Sequence, residues 1–365
     1  MVQKHRLIGA EVSYYTGKVR AYLRYKGIAF EEVTPTREVY RDVIVPRTGV
    51  RFIPVLISED DVAIQDSTAI IDFLEQRYPD PAIHPGPLQQ LVALLFEVYG
   101  DEWLVIPAMH YRWNLRENRE FVIQEFGRMS APNAKPHAQI AIGEKLSRPF
   151  AGALPSLGVS QATVAAIEAS YLAFLQDFNA HLETHQFLLG GRPSIGDFSL
   201  FGPLYAHLYR DPASGPIMQE HAPAVASWVE RLNQPQPATG DFLTDDQIPQ
   251  SLTALLRRMF QEQGPVLMST IQQLEIWAKS TIERSLPRAI GVHDFRMGQI
   301  VSQRSVSPFN LWRWQRVYDY YHGLSQPERL RADALLASTG GTALMQTPIR
   351  QRVQRINNRL ALASS

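Results

Sequence analysis

The apolar positions of this chain change period near residue 80. Before it, short apolar runs of strand length alternate with amphipathic stretches. Leu7–Ala10 reads as a buried strand. Thr16–Lys26 reads as a helix, because Val19, Tyr22 and Leu23 fall at i, i+3 and i+4, and Gly27 stands where a helix stop belongs. Ala29–Val33 alternates as a second strand, and residues 36–51 read as a short helix and a loop. Phe52–Ile57 and Val62–Gln65, joined by the acidic turn Glu59-Asp60-Asp61, predict a hairpin. Ser67–Arg77 predicts a helix with Ile70, Phe73 and Leu74 on one face. The order is βαβ followed by ββα.

Pro79, Pro81, Pro85, Gly86 and Pro87 mark a linker, and beyond it strand signals nearly vanish. Leu91, Leu94, Leu95, Val98 and Leu104 set a helical period from Leu88 to about Asn118, with a break near Pro107. Residues 130–160, rich in Pro, Gly and Ser, read as loop. Ala162–Glu183 and Phe198–Tyr209 read as helices. Ser194-Ile195-Gly196-Asp197 opens the second of these as a capping box with Asp in place of Glu. Pro235–Gly240 reads as a second linker. The remainder reads as helical at Leu252–Gln263, Val266–Ile282, Asn310–Tyr321 and Arg329–Ala337, before a polar tail ending in Ser364-Ser365. Arg350, Arg352, Arg355 and Arg359 read as a basic helical face, solvated rather than partner-binding.

One short stretch carries most of the chemistry. Phe52-Ile53-Pro54-Val55-Leu56 places a proline inside an apolar strand, tolerated only at an edge, a bulge or a cis bend. A cis bend at Pro54 leaves the Ile53 amide and carbonyl free to pair with an extended peptide. Asp66-Ser67 then opens a helix, where free N–H groups and the helix dipole favour a carboxylate. Together they describe a slot for a small peptide with a carboxylate at one end.

Leu7–Ala10, Ser13 to Gly27 with Lys18-Val19-Arg20, Ile53-Pro54-Val55-Leu56, and Asp66-Ser67-Thr68-Ala69-Ile70 ending in Tyr78-Pro79 occur in order at suitable spacing. Over residues 5–80 they resemble the thioredoxin-like domain of cytosolic glutathione transferases. The resemblance implies an α/β thioredoxin-like domain at 1–80 and an all-helical transferase domain at 86–240. Residues 241–365 then form a helical extension packed on the second domain, longer than most transferases carry. The implied reaction uses glutathione as co-substrate and attacks a small hydrophobic electrophile. Ser13 stands five residues before Lys18, where serine-type members place the hydroxyl that activates the thiol. Tyr14 and Tyr15 stand where many members have Pro, and serve as substitute phenol donors. Ile53 beside Pro54 would pair with the cysteinyl part of glutathione. Asp66 and Ser67 would hold the γ-glutamyl end, and Arg51 would face the glycine carboxylate, with Arg41 and Arg47 as weaker choices. Trp103, His110, Tyr111 and Trp113 would wall the electrophile cleft, or pack in the core. The resemblance also implies a homodimer that pairs the first domain of one chain with the second domain of the other.

The physics of the serine role is simple. A thiol of pKa ~8.5 is mostly protonated at neutral pH. Lowering it two units takes about 2.7 kcal/mol, which one charge-assisted hydrogen bond and a helix N-terminus supply together.

Composition narrows the choice. The chain has 365 residues and no cysteine, so disulfides, thiolate metal sites and a cysteine nucleophile are excluded. Any thiol must arrive with a ligand. Lys+Arg and Asp+Glu are both 36, which argues against nucleic acid as main partner. The start lacks the apolar run of a signal peptide, and no apolar run is long enough to span a bilayer, so a cytoplasmic protein without membrane contact is expected. The ten histidines are read as forming no metal set, and Gly190-Gly191 and Gly340-Gly341 lack the Gly-Lys-Ser/Thr sequel of a phosphate loop. Phe309–Tyr321 is dense in aromatics, and is expected to pack the extension, roof the cleft or bury an interface. An enzyme is the first reading. A non-catalytic scaffold on a transferase fold is the alternative, with glutathione-dependent etherase, isomerase or peroxidase chemistry behind it.

Overall fold

A computed structural model describes residues 4–234 and 240–363. The first linker lies within it. The expected second linker, but for Gly240, and the Ser364-Ser365 end lie outside the described residues.

Strands β1 (His5–Ile8), β2 (Phe30–Val33), β3 (Val55–Ile57) and β4 (Ala63–Gln65) form one mixed sheet in the order β2-β1-β3-β4. β1 runs parallel to β2 and antiparallel to β3, and β3 pairs antiparallel with β4. Helix α1 (Tyr14–Tyr25) crosses between β1 and β2. Residues 36–51 are more helical than expected, with α2 (Arg37–Val39) and α3 (Val45–Thr48) joined by a widened turn at Tyr40–Ile44. Helix α4 (Ser67–Glu75) closes the unit. This is the thioredoxin-like plan. Its sheet buries Leu7 and Leu56 toward α1 and α4, in the main core, and Ile8, Val55 and Ile57 against Ile44 in a smaller one.

A helical domain follows, with α5 (Pro87–Glu102), α6 (Val105–Asn114), α7 (Arg116–Ser130), α8 (Pro136–Ala151) and α9 (Val164–Leu182). Then come α10 (Ile195–Pro203), a wide-turn continuation at Leu204–Tyr209, α11 (Gly215–His221) and α12 (Pro223–Asn233). The Ser194–Asp197 capping box forms: the Asp197 carboxylate accepts from the Ser194 N–H at 2.9 Å and the Leu188 N–H at 3.0 Å.

Helix α8 lies where a loop is expected. Its Pro136 sits in the first turn, where the missing N–H costs nothing. Its Gly143 serves a close helix crossing, since a Cβ there would stand 1.9 Å from the Ile123 carbonyl oxygen of α7. Gly127 meets Gln139 in the same way at 2.1 Å. Proline and glycine thus carry packing here, not loop. Gly143→Ala should destabilise the chain by about 1–3 kcal/mol through overpacking against backbone. Thermal unfolding checks this, and an unshifted midpoint would refute the crossing.

The extension holds α13 (Leu252–Glu262), α14 (Gly264–Ser280), α15 (Pro308–Gly323), α16 (Gln326–Thr339) and α17 (Thr342–Gln346). It also holds two hairpins that the helical reading missed: β5 (Val292–Met297) with β6 (Ile300–Ser305), and β7 (Val353–Ile356) with β8 (Arg359–Leu362). The basic stretch is therefore a hairpin and not a helix. Asn357 and Asn358 stand at φ 49° and 61°, the left-handed two-residue turn that fits strand twist. Helix α15 packs Leu311, Trp314 and Val317 into the main core, which runs without interruption from the first sheet into the extension.

Candidate functional site

Ser13 caps α1 from an extended backbone conformation, and its Oγ accepts the Thr16 N–H at 3.3 Å. The hydroxyl proton has no acceptor among the described residues, so it is free to donate outward. The loop before it is pinned from the helical domain. Arg112, on α6, donates to the Val12 carbonyl at 2.7 Å and grips the buried Asp211 carboxylate with two bonds of 2.7 Å. Helix α6 thus turns Arg112, not its aromatics, toward the Ser13 loop.

Tyr14 and Tyr15 point away into the domain junction. Tyr14 donates to the Gly100 carbonyl and Tyr15 to the Asp101 carbonyl, at 3.0 Å for the latter. Burial, with Asp101 and Glu102 nearby, holds both phenols well above their ordinary pKa. They are spent as struts on the end of α5.

The Ile53–Pro54 bond is cis. Ile53 is half-buried, and its N–H and C=O take no backbone hydrogen bond among the described residues. Arg51 is exposed beside it, Arg41 pairs with its neighbour Asp42, and Arg47 pairs with Asp61. Asp66 caps α4 at φ 92° and ψ 135°, a conformation that non-glycine residues avoid. Its Oδ1 accepts the N–H groups of Thr68 at 3.0 Å and Ala69 at 3.2 Å. Ser67 follows in the first turn, 1% exposed, with an Oγ that has no hydrogen-bond partner.

The remaining Asp66 oxygen, Oδ2, is taken by Arg313 of α15 at 2.9 Å. Arg313 also bonds Thr68 Oγ1, and lies 3.7 Å from Asp101 and 3.8 Å from Glu102. Lys18 sits below, 3.0 Å from Glu97 and 2.7 Å from Asp101, while Arg316 spans Asp72 and Glu97. Burial would push the Glu97 carboxyl up, but Lys18, Arg316 and Arg313 overcome it and hold it below the usual range. For Glu102 burial wins over Arg313 and Arg304, and its pKa rises to about 8. Glu102 is then protonated at neutral pH, and the three cations Lys18, Arg313 and Arg316 meet the side chains of Asp66, Asp72, Glu97 and Asp101.

The four aromatic positions expected at the electrophile cleft lie inside the helical bundle. Trp103 is 2% exposed and donates to Glu262 at 3.0 Å. His110 binds Glu168 at 2.9 Å, Tyr111 meets Tyr171 edge-on, and Trp113 stacks on Phe150. Their surroundings match the core half of the expectation. The sheet register Ile8–Val55–Gln65 brings the segments of Ser13, Ile53, Asp66 and Ser67 to one end of the first sheet. The structure adds Arg313 and Arg112, which the sequence reading did not single out, and Lys18, which it used only to mark spacing. The sequence reading finds no His-x-x-x-His spacing beside acids, but His181 and His185 have it, with Glu183 between them. Those rings stack, and His181 spends both nitrogens on Ser251 and the Phe187 carbonyl. Among the described residues no three His, Asp or Glu side chains gather as a metal site, and no helix is long and apolar enough to cross a membrane.

Two family models match the chain in order: the glutathione S-transferase N-terminal domain over residues 7–82, and the glutathione S-transferase C-terminal domain over residues 161–231. These are the two domains of a glutathione S-transferase. Among solved structures, this chain is similar to a glutathione S-transferase from Rhodospirillum rubrum F11, at 20% identity over 67% of this chain and 96% of that one, with a TM-score of 0.40. It is also similar to a glutathione S-transferase from Methylobacterium radiotolerans in complex with glutathione sulfonate, at 23% identity over 66% and 98%, TM-score 0.40. A third is the β-etherase LigF from Sphingobium sp. strain SYK-6, at 18% identity over 65% and 97%, TM-score 0.45. No curated protein sequence matches.

Proposed function

We propose that this family member is a glutathione-dependent transferase in which Ser13 steadies the glutathione thiolate for attack on a small hydrophobic electrophile. In this reading the Ile53 backbone beside Pro54 pairs with the cysteinyl part, Asp66 and Ser67 receive the γ-glutamyl end, and Arg51 faces the glycine carboxylate. The protein works in the cytoplasm as a homodimer, with functional units at 1–80, 86–240 and 241–365.

The observation that carries the reading is Ser67. A buried hydroxyl without a partner is unusual in a folded protein. It sits in the first turn of α4, directly behind a residue held at φ 92°. Backbone strain of this kind persists where a site demands it. A ligand carboxylate would satisfy the hydroxyl and the helix N-terminus at once. The Ser13 proton, free to donate at the start of α1, supports the thiolate role.

Ser13→Ala should cut turnover with a chloronitrobenzene-type electrophile tenfold or more, with the KM for glutathione nearly unchanged. Intact turnover would remove Ser13 as the activating group. Calorimetric titration with reduced glutathione tests the slot itself, and binding should be lost in Asp66→Ala/Ser67→Ala. A scaffold is the second reading, favoured by the Arg313 guanidinium on Asp66. No heat and no thermal stabilisation at several millimolar glutathione would make it the leading one.

A further inference from the structure

The Asp66 carboxylate has one oxygen committed to capping α4, which leaves Oδ2 as the acceptor for a ligand's ammonium. Arg313 holds that oxygen at 2.9 Å from a side chain only 1% exposed. The rest of the extension follows the same edge. Arg355 on β7 donates to the Gln65 side chain at 2.6 Å and to its carbonyl at 3.3 Å, one residue before Asp66. Asn358, in the hairpin turn, donates to the Thr48 carbonyl at 2.9 Å, and Arg359 to the Gly49 carbonyl at 3.2 Å. Those two carbonyls lie at the end of α3 and its Gly49 cap, just before the loop into Ile53. The Arg288 guanidinium stands 4.7 Å from the centre of the Phe52 ring. Trp312 joins the pieces, with Arg313 and Arg355 at 4.8 and 5.2 Å from its ring.

We infer that the C-terminal extension is an internal occupant of the glutathione slot: Arg313 stands where the γ-glutamyl ammonium would bind Asp66, and the β7–β8 hairpin seals the edge along Thr48, Gly49 and Gln65. Ligand entry and extension docking then exclude one another. This rests on the glutathione reading above.

The parts that move are distinguishable from those that stay. Leu311, Trp314 and Val317 anchor α15 in the core, so the helix itself remains. The hairpin base also stays, since Val353 and Leu362 are buried in the same core and Gln315 bonds the Val353 backbone, so the turn end around Arg355–Arg359 is the part free to lift. Its turn end holds the first domain through side chains alone, Asn358 and Arg359 on backbone carbonyls and Arg355 on Gln65, at a partly exposed edge. Opening therefore needs the turn end of the hairpin to lift and the Arg313 side chain to swing, not unfolding of the extension. Ser67 Oγ beside Asp66, and Arg313 Nε at 3.8 Å from Glu102, are buried polar atoms that the closed state leaves without a hydrogen bond.

The test compares the full-length chain, Asn358→Ala/Arg359→Ala and Arg313→Gln by calorimetric titration with reduced glutathione. The first variant loosens the hairpin without touching Asp66, and should bind glutathione at least tenfold more tightly than the natural chain. Arg313→Gln should shift affinity in the same direction. Hydrogen exchange of the natural chain provides a readout that does not depend on either variant folding. Saturating glutathione should speed exchange of the amides in 353–362. Equal affinity across the three chains, or bound glutathione with undiminished protection of 353–362, would overturn the internal occupant and leave the glutathione reading standing. Absence of binding in all three would overturn both.

Discussion

Arg112→Met lowers the unfolding free energy by about 3–5 kcal/mol, the scale set by removing one partner of a buried ion pair. The guanidinium is nearly fully buried and makes five bonds: two to Asp211, and one each to the Val12 carbonyl, the Ala206 carbonyl and His207 Nε2. Burial and the adjacent Arg112 hold His207 well below its ordinary pKa, so the imidazole is neutral and free to accept. Methionine fills much of the volume but leaves Asp211 charged and enclosed. Burial already pushes the Asp211 carboxyl up despite Arg112, and losing Arg112 would let it take a proton more readily. The loss measured by urea unfolding should therefore be smaller at pH 5 than at pH 7. Arg112→Met/Asp211→Leu should recover most of it. A loss below about 1 kcal/mol at pH 7 would show that the pair does not secure the Ser13 loop, since a surface pair contributes no more than that.

Glu102→Gln has the opposite sign. The folded chain keeps the Glu102 proton up to about pH 8, whereas the unfolded chain releases it near the ordinary glutamate value of 4.5. A group raised in the folded state lends its full stability at low pH and loses it as pH climbs toward the folded pKa. Each pH unit between the two values costs the natural chain about 1.4 kcal/mol. Glutamine mimics the protonated carboxyl and has no such slope. The variant should match the natural chain near pH 4.5 and exceed it by roughly 3–5 kcal/mol at pH 8.5. Denaturant unfolding at both values checks this. Parallel stability curves would mean that Arg313 and Arg304 keep Glu102 ionised.

The first domain was legible because its signals are local. Gly27 ends α1, Pro54 interrupts a strand, and Asp66 precedes an apolar helical face, each readable within a few residues. The helix at Pro136–Ala151 was not, because its proline and glycine serve a first turn and a helix crossing that a sequence does not display. The hairpin at 353–362 hid behind its arginines, although Asn357-Asn358 was the usable signal. Asp66 and Ser67 stood out as a helix start beside a strand proline, and Ser13 through the resemblance. Arg313 did not, because nothing in Leu311-Trp312-Arg313-Trp314 says that this arginine meets a carboxylate 247 positions earlier. Long-range charge pairing has no period, and the aromatic density around it drew attention to packing instead.

That separation matters during synthesis. Domains fold as units, the N-terminal one first as the chain emerges. Lys18 finds Glu97 and Asp101 as soon as α5 is made, but Asp66 waits for Arg313 until most of the chain has been translated. The first two domains therefore mature with a gap in their charge balance that only the last segment closes. A product terminated before residue 313 would carry that gap permanently, and would meet the cell's proteases as a weakened fold.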